Sequence, residues 1–261
     1  MKRQLSILCI LAVALSMACH THRGAATRPL IDPELANLSK EEVFQRGETA
    51  FDSKKYQKSR RYYTFVYENY PNDPLGRRSL LRIADTFFKE GGPVNLVESQ
   101  YKYRDFINRF PGSEYADYAM LQIANVSFAQ MERPDRDQTK TKEAVTKFQE
   151  MIAAYPKSQY RADADTRLSK AQDRLAEHEH IIAHFYMKRR NFEPAVTRLN
   201  GIVDNYPAYS DRDQVFFDLG TALAALGRSG EARLYFERVV AEFPKSDFAG
   251  KAREKLQDNK A

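Results

Sequence analysis

Large apolar residues along this chain recur in step with a set of aromatic-proline pairs. The pairs are Tyr70-Pro71, Phe110-Pro111, Tyr155-Pro156, Tyr206-Pro207 and Phe243-Pro244, with prolines about 40, 45, 51 and 37 residues apart. Such periods mark helical arrays. Eight residues before each proline stands Tyr63, Tyr103, Phe148, Leu199 or Phe236, and four before it Tyr67, Ile107, Ile152, Val203 or Val240. Twelve before it a small residue recurs (Ser59, Ser99, Ala144, Ala195, Ala232), and twelve after it Ile83, Ile123, Leu168, Leu219 or Leu256. Offsets of four and eight place these side chains on one helix face, and the small residue one turn further lets a neighbouring helix approach closely. Proline lacks an N–H and clashes with the preceding turn, so each of these helices ends there. Asn72, Gly112, Ser158 and Ser246 fall in the turns, and another apolar-periodic helix starts a few residues on. Each unit is then two antiparallel helices that cannot bury their apolar faces alone and must stack.

This pattern predicts helix pairs over residues 39–71, 75–111, 115–156, 160–207 and 211–244, and a polar helix over 247–259 that caps the array. Ser39 followed by Glu42 is a capping-box signal for the first helix. Residues 132–142, ERPDRDQTKTK, read as a charged loop inside the third unit. The helix over 159–189 is longer than repeat helices usually are and reads as a spine joining a front half, 39–156, to a back half, 157–261. Strand signals are scarce, and no two-residue hairpin turn sits between alternating apolar runs.

Residue by residue the units resemble the tetratricopeptide (TPR) repeat. Gly47, Ser59, Tyr63, Val66 and Pro71 fall at that family's glycine, alanine, aromatic, small-apolar and proline positions, and Gly220, Leu226, Gly227, Ala232, Phe236 and Pro244 match in the last unit. The second unit departs, with extra residues at 90–94. The resemblance implies an all-α fold, a right-handed α-solenoid of five TPR-like helix pairs plus a C-terminal capping helix. Its concave groove would be lined by the first helix of each pair. In the first unit the pattern places Glu41, Phe44, Glu48, Phe51 and Asp52 along that lining, although Phe51 reads equally well as packing between helices.

At 261 residues and 43% apolar content the chain can bury a sizeable core. Its net charge of +6 falls to +4 without residues 1–18, which hold Lys2 and Arg3 and no acid. The charge is spread along the chain, with no dense basic stripe interleaved with aromatics, so nucleic acid is not an expected partner. Lys2 and Arg3 precede an apolar run over residues 5–15, the length of a signal-peptide core and too short to span a bilayer. Ser16 and Ala18 suit ordinary cleavage. Cys19 directly after them suits a lipobox, whose thiol is diacylated, although Leu15 lies four residues before it rather than the usual three. The lipoprotein reading is preferred: Cys9 leaves with the signal, so the mature chain keeps a single thiol at its first residue and forms no internal disulfide. His20 in place of an inner-membrane retention aspartate leans towards the outer membrane. Residues 19–38, with Pro29 and Pro33, read as a flexible tether.

Chemistry is scarce. His180 and His184 lie four residues apart on one helix face with Glu177 a turn before, which in principle supplies three zinc ligands. The stretch EHEHIIAH is not HExxH, because Ile182 follows His178 by four and Ile181 stands where glutamate is needed. It reads as an exposed polar face, with no metal and no cofactor. There is no GxSxG, no phosphate-binding glycine loop and no available cysteine nucleophile, so the chain is not expected to be an enzyme.

One stretch is more specific. Arg174, Leu175, Ala176, Glu179, Ala183, Tyr186, Arg189, Phe192, Ala195, Arg198, Tyr206 and Pro207 match the pattern of the BamD (ComL) family, lipoproteins of outer-membrane β-barrel assembly. Asp117-Tyr118-Ala119 and Arg136-Asp137-Gln138-Thr139 match as well, and the resemblance covers essentially the whole mature chain. It implies a non-catalytic periplasmic scaffold, anchored at Cys19 in the outer membrane and accompanied by other assembly lipoproteins. Its front repeats would receive unfolded outer-membrane precursors, held as extended or β-strand peptides by the first-unit lining. Its back repeats would dock a large barrel-forming subunit through that subunit's periplasmic domains. Glu179, Tyr186, Arg189 and Arg198 would serve that docking, the two arginines by ion pairs; pairing within the chain to Glu177, Glu179 or Glu193 is the other reading. A periplasmic TPR protein of the Tol–Pal system shares the aromatic-Pro-x-Ser turn, but such proteins carry a coiled coil ahead of about three repeats, and no heptads precede Ser39.

Overall fold

Five helices end on an aromatic residue in front of proline, and all five end in the same backbone conformation. In the computed structural model, which describes residues 34, 35 and 37–258, Tyr70, Phe110, Tyr155, Tyr206 and Phe243 have φ between −133° and −129° and ψ between 52° and 65°. Proline disfavours helical backbone at the residue before it, and this is the result. Each aromatic carbonyl then accepts an N–H three residues on, from Asp73, Ser113, Ser158, Tyr209 or Ser246, at 3.0–3.1 Å. Proline thus sits at the second position of a tight turn, where its fixed φ suits it.

Between these stops lie α1 (Lys40–Asp52), α2 (Tyr56–Asn69), α3 (Pro74–Glu90), α4 (Pro93–Arg109), α5 (Ala116–Ala129), α6 (Thr139–Ala154), α7 (Arg161–Lys188), α8 (Phe192–Asn205), α9 (Arg212–Ala225), α10 (Ser229–Glu242) and α11 (Asp247–Asp258). They are five helix pairs and a closing helix, with no strand among the described residues. Each helix packs on the next, so the fold is an all-α solenoid. Residues up to Leu38 form a separate unit, of which only 34, 35, 37 and 38 are described, so the signal, the tether and Cys19 lie outside the description.

The predicted capping box is formed: the Ser39 hydroxyl accepts from the Glu42 N–H at 3.2 Å, and the Glu42 carboxylate from the Ser39 N–H at 2.8 Å. The extra residues of the second pair are a Gly91-Gly92 turn with φ of 73° and 81°, after which Pro93 opens α4. The charged loop is pinned to α7: Arg174 donates to the Glu132 carbonyl at 2.6 Å, and His178 Nδ1 meets the Pro134 carbonyl at 2.6 Å.

The small residues twelve before each proline and the large ones eight before it are all 0% exposed. The residues four before it are only half-buried. One position earlier, Val66, Phe106, Met151, Ile202 and Val239 are fully buried in every unit, so the inward stripe runs one residue off the sequence reading. A second buried set, Ser79, Ala119, Ala164, Val215 and Ala252, lies eight after each proline. The core is divided along the array. Leu80, Tyr103, Phe106 and Ile123 form one cluster, Leu121, Phe148 and Met151 another, and Leu199, Phe216, Leu219 and Phe236 a third. Ala164 of α7 belongs to the middle cluster and Ala176 and Ala183 to the last, so this one helix contributes to both.

Candidate functional site

At the front, Glu41, Phe44, Gln45, Glu48 and Asp52 of α1 join Leu75 and Arg78 of α3 around a cleft of about 400 Å³. Four of the five first-unit residues expected along the groove therefore share one cavity. Glu41 and Asp52 are exposed. Phe44 is buried, its ring 5.4 Å from that of Tyr63 and capped by the Arg78 guanidinium at 5.0 Å. Phe51 is half-buried between the Arg82 guanidinium, 4.0 Å away, and the Tyr56 ring, 5.6 Å away.

Glu48 is held from two sides. Arg82 grips both its oxygens at 2.8 and 2.9 Å, and the Tyr63 hydroxyl donates to it at 2.5 Å. Burial pushes its carboxyl up, but hydrogen bonds from Arg82 and Tyr63 more than offset this and hold it below the ordinary carboxylate range. Arg82 also meets Asp85 at 3.1 Å. Asp85, which the sequence did not single out, is buried beneath and accepts the hydroxyls of Tyr103 and Tyr118; burial raises its carboxyl despite these partners. The front surface is thus acidic at its rim and tied by a polar network that crosses from α1 to α5.

At the back, the end of α7 gathers three of the other expected residues. Arg198 of α8 donates to Glu179 at 2.7 Å, so this arginine pairs within the chain. Arg189 is exposed and lies over the exposed Phe185 ring at 3.6 Å, with no ion pair among the described residues. Tyr186 is half-buried, its ring edge-on to Phe185 at 5.7 Å. Ile181 and Phe185, 42% and 52% exposed, stand two turns and one turn before Arg189 on one open face. The sequence reading passed over both, although each follows an inward residue, His180 or His184, by one position. Arg190, just beyond, has φ of 56°, a left-handed backbone that non-glycine residues rarely adopt.

The histidines are not an exposed polar face. His180 is 6% exposed, and its Nε2 lies 2.9 Å from Oδ2 of Asp218 on α9. His184 Nε2 lies 2.6 Å from the same oxygen. Glu177, the third ligand the spacing offered, instead lies 3.9 Å from Arg174. No helix among the described residues is long and apolar enough to cross a membrane.

Among proteins of known name, the chain is 26% identical to the outer membrane protein assembly factor BamD of Neisseria meningitidis serogroup A over 249 residues, 92% of each chain. It is 24% identical to the protein of the same name from Caulobacter vibrioides over 250 residues, 96% of this chain and 80% of that one. Among solved structures, the TPR2AB domain of yeast Sti1 in complex with pHSP90 superposes with a TM-score of 0.46 at 14% identity, covering 84% of this chain and 83% of that one. The family model described as "YfiO: Outer membrane lipoprotein" matches residues 36–234. Matched over most of its solenoid, the chain belongs to the YfiO family of outer membrane lipoproteins.

Proposed function

We propose that this protein acts in outer membrane protein assembly as a non-catalytic scaffold, tethered through Cys19 to the outer membrane on its periplasmic side. The observation that carries the reading is collinearity: the relatives named outer membrane protein assembly factor align with it over 92% and 96% of its length and over 92% and 80% of their own, so the likeness is not confined to a single repeat. In this reading residues 39–156 receive unfolded barrel precursors. The cleft beside α1 suits that task, because Glu41 and Asp52 leave acceptors open for backbone N–H groups of an extended peptide. Residues 157–261 dock the barrel-forming subunit. Arg189 over Phe185, with Ile181 a further turn along the same face, is a cation with an apolar flank and no acid partner among the described residues, which suits ion pairing across an interface. Arg198 contributes by orienting Glu179 rather than by reaching the partner itself.

Depletion in cells tests the function. Outer-membrane β-barrel proteins are expected to fall while periplasmic proteins hold their level, and unchanged barrel levels contradict the proposal.

A further inference from the structure

His180, His184 and Asp218 form a largely buried constellation, open to water only at His184, that the assembly function does not use. Two imidazoles come from successive turns of α7, their ring centres 4.5 Å apart, and the carboxylate comes from α9. The ligand atoms of all three lie within 4.8 Å of one another. Both Nε2 atoms aim at one carboxylate oxygen, so in the metal-free arrangement each ring must carry a proton there. A divalent cation placed among the three atoms takes over the role of both protons.

We propose that these three residues form a binding site for Zn²⁺ or a similar borderline transition metal. The donor set, two imidazoles and one carboxylate, suits zinc and not calcium or magnesium, which take oxygen ligands. Tetrahedral zinc bonds of about 2.0–2.2 Å put neighbouring donors about 3.3–3.6 Å apart. Admitting the ion therefore asks Asp218 to withdraw by roughly 0.4–1 Å from its present 2.6 and 2.9 Å contacts, and the two imidazole nitrogens to settle at the same spacing. His180 and Asp218 are nearly closed to water, whereas 38% of the His184 side chain is exposed and gives the ion an entry. Gln214 Nε2 lies 3.4 Å from His184 Nε2, so this amide, turned over, or a water can fill the fourth position. Nearby, the Tyr209 ring packs edge-on to His180 at 6.1 Å and walls one side of the site. Because the ligands span two helix pairs, the bound ion fixes α7 to α9.

Calorimetric titration of the chelator-treated full chain with zinc chloride tests this, with Co²⁺ as a spectroscopic probe. One ion per chain is expected, together with visible cobalt absorption of a low-coordinate site and a rise in the thermal unfolding midpoint on adding Zn²⁺. His184→Gln, at a half-exposed position, is expected to weaken binding by about 100-fold or more. Asp218→Asn is expected to do the same, and His178→Gln to leave affinity unchanged. Absence of binding with metal in excess overturns the site. So does stoichiometric binding that persists in both His184→Gln and Asp218→Asn, which would place the ion elsewhere.

Discussion

A methyl group added at Gly47 would stand 2.6 Å from the Tyr63 ring, and one added at Gly220 would stand 2.6 Å from the Phe236 ring. The first and last helix pairs therefore bring their helices together at the same point and by the same means. They differ in the atom at the tip of the ring. The Tyr63 hydroxyl reaches Glu48, which reaches Arg82, which reaches Asp85, and the front pair is joined to the next by a polar chain. Phe236 has no hydroxyl and packs on Phe216, Phe217 and Leu219 of its own pair, which joins the pair before it through Ala183, Leu199 and Ile202 of the same apolar cluster, with the contacts of Asp218 to His180 and His184 beside them. The repeat specifies volume and approach, and leaves each pair free to choose the chemistry of its junctions.

Breaking the polar chain should produce the largest difference between the ends. Arg82→Met leaves the half-buried Glu48 and the buried Asp85 without their cation. The expected loss is about 3 kcal/mol, the low end for a broken buried pair because 19% of the Arg82 side chain stays in water. Denaturant unfolding measures it. Gly220→Ala forces a Cβ into the Phe236 ring and is expected to cost about 1–2 kcal/mol, overpacking being partly offset by alanine's better helix propensity. Gly47→Ala should cost a similar amount if the two approaches are equivalent, which the same unfolding curves check.

Acid should sharpen the contrast. The Glu48 carboxyl is held below its unfolded value, so its contribution is complete above about pH 4.3 and is lost as the pH falls through the lower folded value. Asp85 acts with the opposite sign, since burial raises its carboxyl and protonation in acid relieves that cost. Replacing Glu48 with Gln isolates the first effect: stability of the variant should fall less steeply than wild type between about pH 5 and 3. Equal slopes would show that Glu48 is not held as described.

The smallest effect concerns the turns. Lys54, Arg190 and Gly227 occupy the same left-handed turn position in the first, fourth and fifth pairs, with φ of 57°, 56° and 76°. Only the last is glycine. Arg190→Gly and Lys54→Gly are each expected to raise stability by about 0.5–1 kcal/mol, read from thermal unfolding midpoints.

The fold was legible because its signals are short-range and repeated. Proline stops, the small-then-large stripe and the Ser39–Glu42 cap each act within a few residues. The buried set eight after each proline was not, because Ser79, Ala119, Ala164 and Ala252 are too small to mark a hydrophobic face. The inward stripe was read one residue late, since both neighbours in each pair, such as Val66 and Tyr67, are apolar. Of the site residues, Arg198 with Glu179 was visible as one of two readings. Asp218 was not: it meets His180 and His184 across 38 and 34 residues, a distance set by how α7 stacks on the last pair.

The account rests most heavily on the back of the array as the docking end, and Arg189→Glu tests it directly. The tagged variant and wild type would be purified from detergent-solubilised membranes and compared for the co-purifying large barrel-forming subunit. Arg189 makes no ion pair among the described residues, so the variant should melt like wild type while losing most of that subunit. Recovery of the subunit at the wild-type level would place docking elsewhere on the chain.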